Sequence, residues 1–232
     1  MYTGPNIITE GLIFALDAGS SKCFTPGTTI ATDLIQGFNC SGASGTPGSG
    51  THTPNTTNFP SYNSINGGVF DFVGGKGINI DGNLGNTTSS SISMWVYKNS
   101  TATQYFTDGR NNGGVWFLSN YISYNINWNS NLRYKFENSY NSSPPNFLNQ
   151  WVHLVVTSDT SGSKLYINGL EVALTTSTST DEDFGINYRI GTRYTTSSPW
   201  TGYMGPIYFY NKSFNEIEAT QNFLAHKSRF GL

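Results

Sequence analysis

The densest acidic cluster in the sequence is the run Asp181-Glu182-Asp183, the first place where the chain could carry out acid–base chemistry. On a strand, Asp181 and Asp183 would project from one face, and glycoside hydrolases use two carboxyl groups as nucleophile and general acid. The run follows Ser and Thr residues and precedes Phe184-Gly185, a context typical of a solvated loop. A loop is therefore the favoured interpretation, and a glycoside hydrolase is the remote alternative.

The chain has three histidines, and none of them has the sequence context that nucleophilic catalysis requires. His52 lies in a Gly/Thr-rich segment, His153 in a strand pattern, and His226 near the end of a helix pattern. His153 is interpreted as a packing residue and His226 as a complement to the helix dipole. No catalytic residue is predicted, and the chain is expected not to be an enzyme.

Two segments combine the side chains that recognise sugars. Aromatic rings pack against the C–H faces of a sugar, while Asn, Asp and Arg side chains bond its hydroxyl groups. For Trp200 the alternative role is that of an anchor for its Ser/Pro-rich loop. The candidate glycan-binding residues are Asp108, Arg110 and Asn111 in the first segment and Arg193, Tyr194 and Trp200 in the second.

Metal ligands are sparse in the sequence. Calcium requires several oxygen ligands, which Asp108 with Asn111 and Asn112, or the pair Asp181 and Asp183, could supply. No metal site and no cofactor are predicted, and calcium stays open as the alternative.

The two cysteines, Cys23 and Cys40, are too few for a disulfide framework. The sequence starts without the basic and apolar pattern of a secretory signal, so synthesis in a reducing compartment is expected. Two free thiols are predicted, and a Cys23–Cys40 disulfide is the alternative.

Charges are few and aromatic rings are many in this 232-residue chain: 11% of the residues are charged, 15% are aromatic, and the net charge is −2. Because no Lys/Arg cluster follows the pattern of a phosphate backbone, nucleic acid is not an expected partner. No apolar run approaches the ~18 residues that cross a membrane, so membrane insertion is not expected either. A surface of Ser, Thr, Asn and Gly suits neutral partners such as glycans or other subunits.

Alternating apolar residues separated by turn residues predict many short strands. Asn168-Gly169 predicts a tight hairpin, since both positions must adopt positive φ, and Ser213 with Glu216 forms a capping-box pattern that predicts a helix over 213–227. The fold class predicted is all-β, a two-sheet antiparallel jelly-roll sandwich with one short C-terminal helix. The predicted strands cover 11–17, 69–72, 77–80, 92–97, 115–118, 121–128, 132–136, 151–157, 164–167, 170–174, 188–192 and 203–210.

Residues 20–67 interrupt this pattern with a Gly-, Ser- and Thr-rich segment. Because residues 1–18 are too few to fold alone, the segment is interpreted as a long surface loop of one domain over 1–232, with a flexible interdomain linker as the alternative. Residues 1–10 are predicted to form an N-terminal arm.

Three segments together resemble the laminin-G-like (LamG) jelly roll of the concanavalin A-like lectins, over roughly residues 65 to 225. The resemblance implies the two-sheet fold. Many LamG domains bind calcium, but this chain has Gly74-Gly75-Lys76 where relatives often have an acidic pair, which disfavours that site. The matching segments are Ser91-Ile-Ser-Met-Trp-Val-Tyr97, Trp151-Val-His-Leu-Val-Val-Thr-Ser-Asp159 followed by Leu165-Tyr-Ile-Asn-Gly169, and Ile190-Gly-Thr-Arg193 through Gly205 to Phe214 and Ile217.

A narrower resemblance involves both ends of the chain. Gly11-Leu-Ile-Phe-Ala-Leu-Asp-Ala-Gly19, the later Asp33-Leu34, and the ending Gln221-Asn-Phe-Leu-Ala-His-Lys-Ser-Arg-Phe-Gly231 are similar to LamG-type structural proteins of tailed bacteriophages. This similarity implies a virion protein made in the host cytoplasm: a capsid decoration, fibre or tail-associated subunit.

The partners implied are other virion proteins of the capsid or tail, in a homo-oligomer or symmetric assembly, together with a host surface glycan. The arm, residues 1–9, and the segment 20–67 are expected to dock the subunit and to become ordered on assembly. A free carbohydrate-binding lectin module is the alternative function.

Overall fold

The computed structural model describes residues 4–43, 56–100, 102–108, 114–118, 121–125, 148–172, 182–183, 188–193 and 197–232. Over these residues the chain forms β1 (Leu12–Leu16), β2 (Ile30–Thr32), β3 (Asn39–Gly42), β4 (Ser61–Asn63), β5 (Val69–Phe72), β6 (Ile78–Ile80), β7 (Asn86–Thr87), β8 (Ser90–Lys98), β9 (Gln104–Asp108), β10 (Gly114–Leu118), β11 (Tyr121–Asn125), β12 (Trp151–Asp159), β13 (Gly162–Ile167), β14 (Leu170–Val172), β15 (Glu182–Asp183), β16 (Arg189–Ile190), β17 (Gly202–Tyr210) and the helix α1 (Glu216–His226). All the strand pairs within the sheets are antiparallel, which confirms the predicted all-β sandwich with a short C-terminal helix.

Two sheets make up the sandwich. Sheet A has the order β14-β13-β12-β8-β17-β5-β4, and β1 pairs with the Ile207–Tyr210 end of β17 beyond the stretch that pairs with β5. Sheet B has the order β11-β10-β9-β16-β6-β3-β2, and β15 pairs with β7 as a separate ribbon. Consecutive strands pair toward the ends of both sheets, whereas the central neighbours come from distant parts of the sequence, so their register depends on which face of each strand is apolar.

The core lies between the sheets and is filled by alternate side chains of the strands. Phe14 stacks on Phe209 with ring centroids 5.1 Å apart, and Tyr188 meets Phe209 edge-on at 5.2 Å. Trp200 packs on Phe106 from sheet B at 4.5 Å. These rings bury large apolar areas, which is the main force holding the two layers together.

The outer face of sheet A is covered by α1 and by the short 3-10 helix Lys227–Phe230 that follows it. Trp95 projects from this face and stacks on Phe230 at 4.3 Å and on Phe223 at 5.7 Å. Trp151 packs on Phe230 at 4.4 Å. The name helix-covered face is used below for this surface, in which Trp95 is fully buried and Phe230 nearly so.

The N-terminal end of α1 differs from the prediction by two residues. The capping box consists of Asn215, whose side chain accepts a hydrogen bond from the Glu218 amide, and Glu218, whose carboxylate accepts one from the Asn215 amide. The predicted pair of Ser213 and Glu216 is wrong because the Ser213 hydroxyl bonds Thr157 Oγ1 at 2.9 Å. The hydroxyl is thus used to join the chain to β12.

Asn168 and Gly169 form the turn between β13 and β14, with φ of 51° and 84°. Both values are positive, so the tight hairpin predicted from this dipeptide is confirmed.

The two ends of the chain meet at Arg229. Its guanidinium bonds both carboxylate oxygens of Asp17, at 2.8 and 2.9 Å, and donates to the carbonyl oxygens of Asn66 and Gly68, each at 2.6 Å. Gly68 has a φ of 111°, and a Cβ there would lie 2.9 Å from the Cα of Gly19, so only glycine lets the two chain segments approach so closely.

The prediction that residues 20–67 form a surface loop is wrong for their described part. Residues 30–32 and 39–42 are strands of sheet B, and residues 61–63 form the edge strand of sheet A. Asp33 holds the turn between β2 and β3 to the first strand, since its carboxylate accepts a hydrogen bond from the Ala15 amide at 2.7 Å. These strands carry few apolar residues, and pairing with the neighbouring strands of the two sheets stabilises them.

The described part of the N-terminal arm also lies against the fold. The Ile8 amide donates to Asn222 Oδ1 at 2.8 Å, and Gln221 Nε2 donates to the Asn6 carbonyl at 2.9 Å. Ile7 and Ile8 pack on the apolar residues beneath α1. Residues 4–9 are therefore ordered within one chain, contrary to the expectation that the arm becomes ordered only on assembly.

Most predicted strands are observed with ends shifted by one or two residues, and the predicted strand 132–136 lies outside the described residues. No helix in the described part of the chain has the length and apolar composition that crossing a membrane requires.

Candidate functional site

A row of polar side chains crosses the outer face of sheet B. In the strand register Ser41 of β3 lies opposite Asn79 of β6, Asn79 opposite Arg189 of β16, and Arg189 opposite Asp108 of β9. Their neighbours Ile78, Ile80 and Ile190 point into the core, so these four point away from it. All four are nonetheless buried, with at most 1% of each residue exposed.

A bulge in β9 turns Asp108 to this outer face. Val115 pairs with Thr107 and Trp116 pairs with Tyr105, so Phe106 is an extra residue on β9. Phe106 lies in the core, and Thr107 is also directed inwards, since its hydroxyl is 3.3 Å from that of the core residue Tyr188. Tyr105 and Asp108 on either side of the bulge therefore face outwards.

The position next to Asp108 across the sheet is a glycine. Gly114 of β10 is the register partner of Asp108, and a Cβ at Gly114 would lie 2.4 Å from the Thr107 carbonyl oxygen. A side chain cannot be accommodated there, so this strand leaves the space beside the Asp108 carboxylate without a side chain of its own.

Arg189 is the buried cation at the centre of the row. Burial lowers the pKa of Arg189 to about 10, and the negative charge of Asp108 opposes that change. The guanidinium is therefore charged at neutral pH. It donates through Nε to Asn79 Oδ1 at 3.5 Å and through Nη1 to the Arg193 carbonyl at 3.4 Å.

Asp81 lies two residues beyond Asn79 on the same face and is partly exposed. Its carboxylate accepts hydrogen bonds from Asn79 Nδ2 at 2.9 Å and from the Ser41 hydroxyl at 3.1 Å. The Asn79 amide thereby links the Arg189 cation to the Asp81 carboxylate. Because each carboxylate oxygen has two lone pairs, Asp81 can accept further hydrogen bonds from a ligand.

Arg193 lies at the other side of Arg189, with its guanidinium carbon 5.7 Å from the centroid of the Tyr105 ring. This is the distance of a cation–π contact, which orients the Arg193 side chain over the aromatic ring. The name polar face is used below for Ser41, Asn79, Asp81, Tyr105, Asp108, Arg189 and Arg193.

The structure brings together two of the six predicted glycan-binding residues. Asp108 and Arg193 lie on the two sides of Arg189, although 85 positions separate them in the sequence. Arg110, Asn111 and Tyr194 lie outside the described residues. Asp108 is 1% exposed, so its charge acts on the buried Arg189 and its side chain has almost no contact with solvent.

The prediction that Trp200 binds a glycan is wrong. Its indole is fully buried in the core against Phe106, and its amide donates to the Gly191 carbonyl at 2.7 Å. The alternative of a loop anchor is the role that the structure assigns, because the apolar area of the ring is removed from water on both faces.

Sequence reasoning missed Arg189, Asn79 and Asp81. Each was detectable, because a charged or amide side chain interrupts a short apolar strand: Asn79 lies between Ile78 and Ile80, and Arg189 between Tyr188 and Ile190. In a chain with so few charges, an arginine inside a strand pattern is a signal of a buried polar site.

Among the residues that the structure describes, the remaining candidates give no second site. Cys23 and Cys40 are buried free thiols, which confirms the prediction of unpaired cysteines. Burial raises the pKa of Cys23 to about 11. No group of three or more His, Cys, Asp or Glu side chains that could hold a metal occurs among the described residues. The calcium ligands considered from the sequence, Asn111, Asn112 and Asp181, lie outside those residues, and Asp183 contributes backbone pairing to β15.

His153 is a packing residue of the helix-covered face, as predicted. It is buried beside Trp95 with ring centroids 5.1 Å apart, and its Nε2 is 2.9 Å from the Ser93 hydroxyl. Burial lowers the pKa of His153 to about 3, so the ring is neutral at physiological pH.

Comparison with known proteins identifies the fold. The family model Laminin_G_3, described as the concanavalin A-like lectin/glucanases superfamily, matches residues 73–219, more than half of the chain. No curated protein matches the sequence.

Three solved structures illustrate the fold similarity. Domain 4 of AbnA, an extracellular arabinanase from Geobacillus stearothermophilus in complex with arabinotriose, is 16% identical, with 92% of this chain and 98% of that chain covered and a TM-score of 0.62. The receptor-binding domain of botulinum neurotoxin type G is 15% identical (92% and 51% covered, TM-score 0.62). Trypanosoma rangeli sialidase in complex with sialic acid is 14% identical (97% and 35% covered, TM-score 0.59). The chain thus spans about half of the toxin domain and a third of the sialidase, and at these identities the similarity concerns the fold alone.

Proposed function

The chain belongs to the concanavalin A-like lectin/glucanases superfamily, and from that premise we propose that it is a non-catalytic module that binds carbohydrate through its polar face. The observation that carries the proposal is the Asp81 carboxylate, which is held by Asn79 and Ser41 and remains partly exposed beside a buried arginine. Such an oriented acceptor suits the hydroxyl groups of a sugar.

The other members of the polar face complement this acceptor. Arg193 supplies fixed donors over Tyr105, so donors and acceptors both border the site. Arabinotriose is bound in the structure of the arabinanase domain, 98% of which the match covers, and this favours a saccharide as the ligand class here. The low net charge of −2 agrees with a neutral ligand.

A binding role is favoured over hydrolysis because only one of the two carboxylates of the polar face is exposed to solvent. Asp108 is buried against the Arg189 cation, whereas Asp81 accepts two hydrogen bonds from uncharged groups. Glycoside hydrolysis requires two carboxyl groups that both reach the scissile bond. Release of reducing sugar tests the hydrolase alternative. Sugar release by the wild type that is lost in the double variant Asp181→Asn, Asp183→Asn would support hydrolysis.

A glycan array, run with calcium and with a chelator, tests the proposal. We expect a saccharide signal that Asp81→Asn lowers at least about tenfold, since the amide cannot replace a charged acceptor. Asp71→Asn, a half-buried carboxylate of sheet A, is the matched control and should bind normally. Silence of the folded wild-type chain on the array contradicts the proposal, and loss of signal in the chelator alone would support the calcium alternative.

We also propose, as a second candidate, that the chain is a structural subunit of a tailed-phage virion. The observation that favours it is that Asp17 and Arg229, both within the segments resembling phage proteins, hold the ends of the chain together, while Asp33 of the third such segment holds the turn after β2 to the first strand. Mass spectrometry of purified particles tests this role. Absence of the chain from the particles would remove the virion proposal and leave glycan binding unaffected.

A further inference from the structure

The solvent side of α1 carries the largest exposed apolar side chain of the helix. Ile217 is 78% exposed, and Leu224 is 39% exposed one heptad later on the same line of the helix. Leu170 of the adjoining hairpin is 67% exposed. The hairpin is joined to the helix by the Thr220 hydroxyl, which donates to the Gly169 carbonyl at 2.7 Å.

These side chains border a shallow groove that is largely open to solvent. The groove has a volume of about 480 Å³ and runs along α1 beside the N-terminal arm. Its lining consists of Pro5, Glu216, Ile217, Thr220, Gln221 and Leu224.

The charges at the two ends of α1 on this side are opposite. Glu216 lies in the first turn of α1 and Lys227 directly after its last residue. Glu216 and Lys227 lie on the same long edge of the helix. Glu216 is four residues before Thr220 and Lys227 seven residues after it, and both spacings bring side chains to one side of an α-helix. Among the described residues Glu216 has no ion pair, whereas Glu218 is held by Lys212 at 2.6 Å and Arg229 by Asp17.

We propose that this groove is a self-complementary interface for a second copy of the chain, with the two α1 helices antiparallel about a two-fold axis near Gln221. In that arrangement Ile217 of one copy faces Leu224 of the other, since both apolar residues lie at nearly equal distances from Gln221. The same axis brings Glu216 of one copy to Lys227 of the other, on the edge that both occupy. An isologous contact requires this self-complementarity of a single patch.

The axis also accounts for the exposure of Leu170. This side chain lies level with the middle of α1, where the two copies meet, so the dimer covers it as well. The patch is one helix face and one hairpin, smaller than the surface that a tight dimer buries, so a weak and concentration-dependent dimer is expected.

Sedimentation velocity of the full chain, from micromolar to near-millimolar concentration, measures the association directly. We expect a monomer–dimer equilibrium whose dissociation constant rises at least about tenfold in Ile217→Ser. Val73→Ser is the matched control, because Val73 is 55% exposed on a different surface, and it should dimerise like the wild type.

A charge swap tests the orientation of the helices. Glu216→Lys and Lys227→Glu should each weaken the dimer, and the double variant should restore it, since the opposite charges meet only between copies. Thermal melts of each variant separate a loss of association from a loss of folding, because Glu216 also interacts with the helix dipole. Gln221→Cys should form a cross-linked dimer under mild oxidant, while the buried Cys23 and Cys40 stay unreactive.

A chain that stays monomeric at near-millimolar concentration overturns the proposal and leaves the groove to a different protein. A dimer that Ile217→Ser does not weaken, or that the double charge variant does not restore, overturns it as well. Neither result bears on carbohydrate binding, because the polar face belongs to the other sheet.

Discussion

The two outer faces of the sandwich both bury side chains, but the buried side chains are of opposite kinds. On the helix-covered face the buried groups are mainly aromatic, with Trp95 and Trp151 packed against Phe230. On the polar face Ser41, Asn79, Asp108 and Arg189 are equally buried but form a line of hydrogen-bonding and charged groups. In both sheets the strand residues alternate between the core and the outer face. The chemical difference therefore lies in the side chains that each outer face carries.

The polar groups beneath the helix also differ from those of the polar face. Asn222 donates to the Tyr210 hydroxyl at 2.9 Å and accepts from the Ile8 amide, so α1, β17 and the arm are joined by one side chain. This network is neutral and joins parts of the fold to each other. The polar face instead retains formal charges and a partly exposed carboxylate at Asp81. Buried charge is expensive to maintain, and its retention is typical of a functional surface.

The largest change in stability is expected from removing the aromatic contact of the helix-covered face. We expect Trp95→Ala to lower the free energy of unfolding by about 3–5 kcal/mol, because it leaves a cavity beneath α1 that the sheet cannot close. Urea unfolding followed by circular dichroism measures the loss. Val73→Ala, at an exposed position, should change the free energy by less than about 0.5 kcal/mol. A similarly small effect of Trp95→Ala would mean that α1 does not depend on sheet A.

On the polar face the comparable change is Arg189→Met. We expect a loss of about 3 kcal/mol, because the variant leaves the buried Asp108 carboxylate without its cation. Adding Asp108→Leu should recover most of this loss, since two apolar side chains can replace a buried ion pair at little cost. A double variant as unstable as the single one would show that Arg189 stabilises the fold through Asn79 and the Arg193 carbonyl instead.

Acid should loosen the helix-covered face first. Burial lowers the pKa of His153 to about 3 and that of His226 to about 4, against about 6.5 in an unfolded chain. Below pH ~6.5 the unfolded chain therefore binds protons that the folded chain does not, and stability falls as the pH is lowered toward 4.

Each histidine contributes a slope of up to about 1.4 kcal/mol per pH unit in that window. Urea midpoints measured from pH 8 to pH 4 test this, and His226→Gln should flatten the profile. The variant keeps a hydrogen-bonding group near the Tyr208 hydroxyl, which lies 2.8 Å from His226 Nε2. A profile that the substitution leaves unchanged would assign the acid sensitivity to other groups.

The longer strands and the hairpin at Asn168-Gly169 could be predicted because each carries its own signal, apolar alternation or a residue pair with positive φ. The strands β2, β3 and β4 could not, since their three or four residues hold few apolar side chains, and β3 also depends on pairing with the later strand β6. The helix start was misplaced because Ser213 bonds Thr157, a tertiary contact with no local signal.

The candidate site was predictable only in part, for the same reason. Asp108 and Arg193 were identified by residue type, but the side chain that joins them, Arg189, is recognisable only once the register of β9, β16 and β6 is known. Trp200 was misassigned because a loop aromatic that anchors the core and one that binds a ligand have the same sequence context.

The smallest expected effect comes from one substitution made at two buried threonines. Thr157 lies beneath the start of α1, where its hydroxyl donates to the Ser90 carbonyl at 3.0 Å and accepts from the Phe214 amide at 2.9 Å. Thr192 follows β16 of sheet B, and among the described residues its buried hydroxyl has no hydrogen-bond partner.

Valine keeps the shape of threonine and removes only the hydroxyl, so the pair isolates the hydrogen bonds. We expect Thr157→Val to cost about 1–3 kcal/mol, because it removes a buried hydroxyl that bonds the Ser90 carbonyl, the Phe214 amide and the Ser213 hydroxyl. Thr192→Val should be neutral or stabilising by up to about 1 kcal/mol, since the hydroxyl is desolvated without compensation. Thermal and urea unfolding of the two variants measures both values. A cost at Thr192 equal to that at Thr157 would mean that a bound water or ligand satisfies the Thr192 hydroxyl. The buried polar groups of sheet B would then be hydrogen-bonded as completely as those of sheet A beneath the helix.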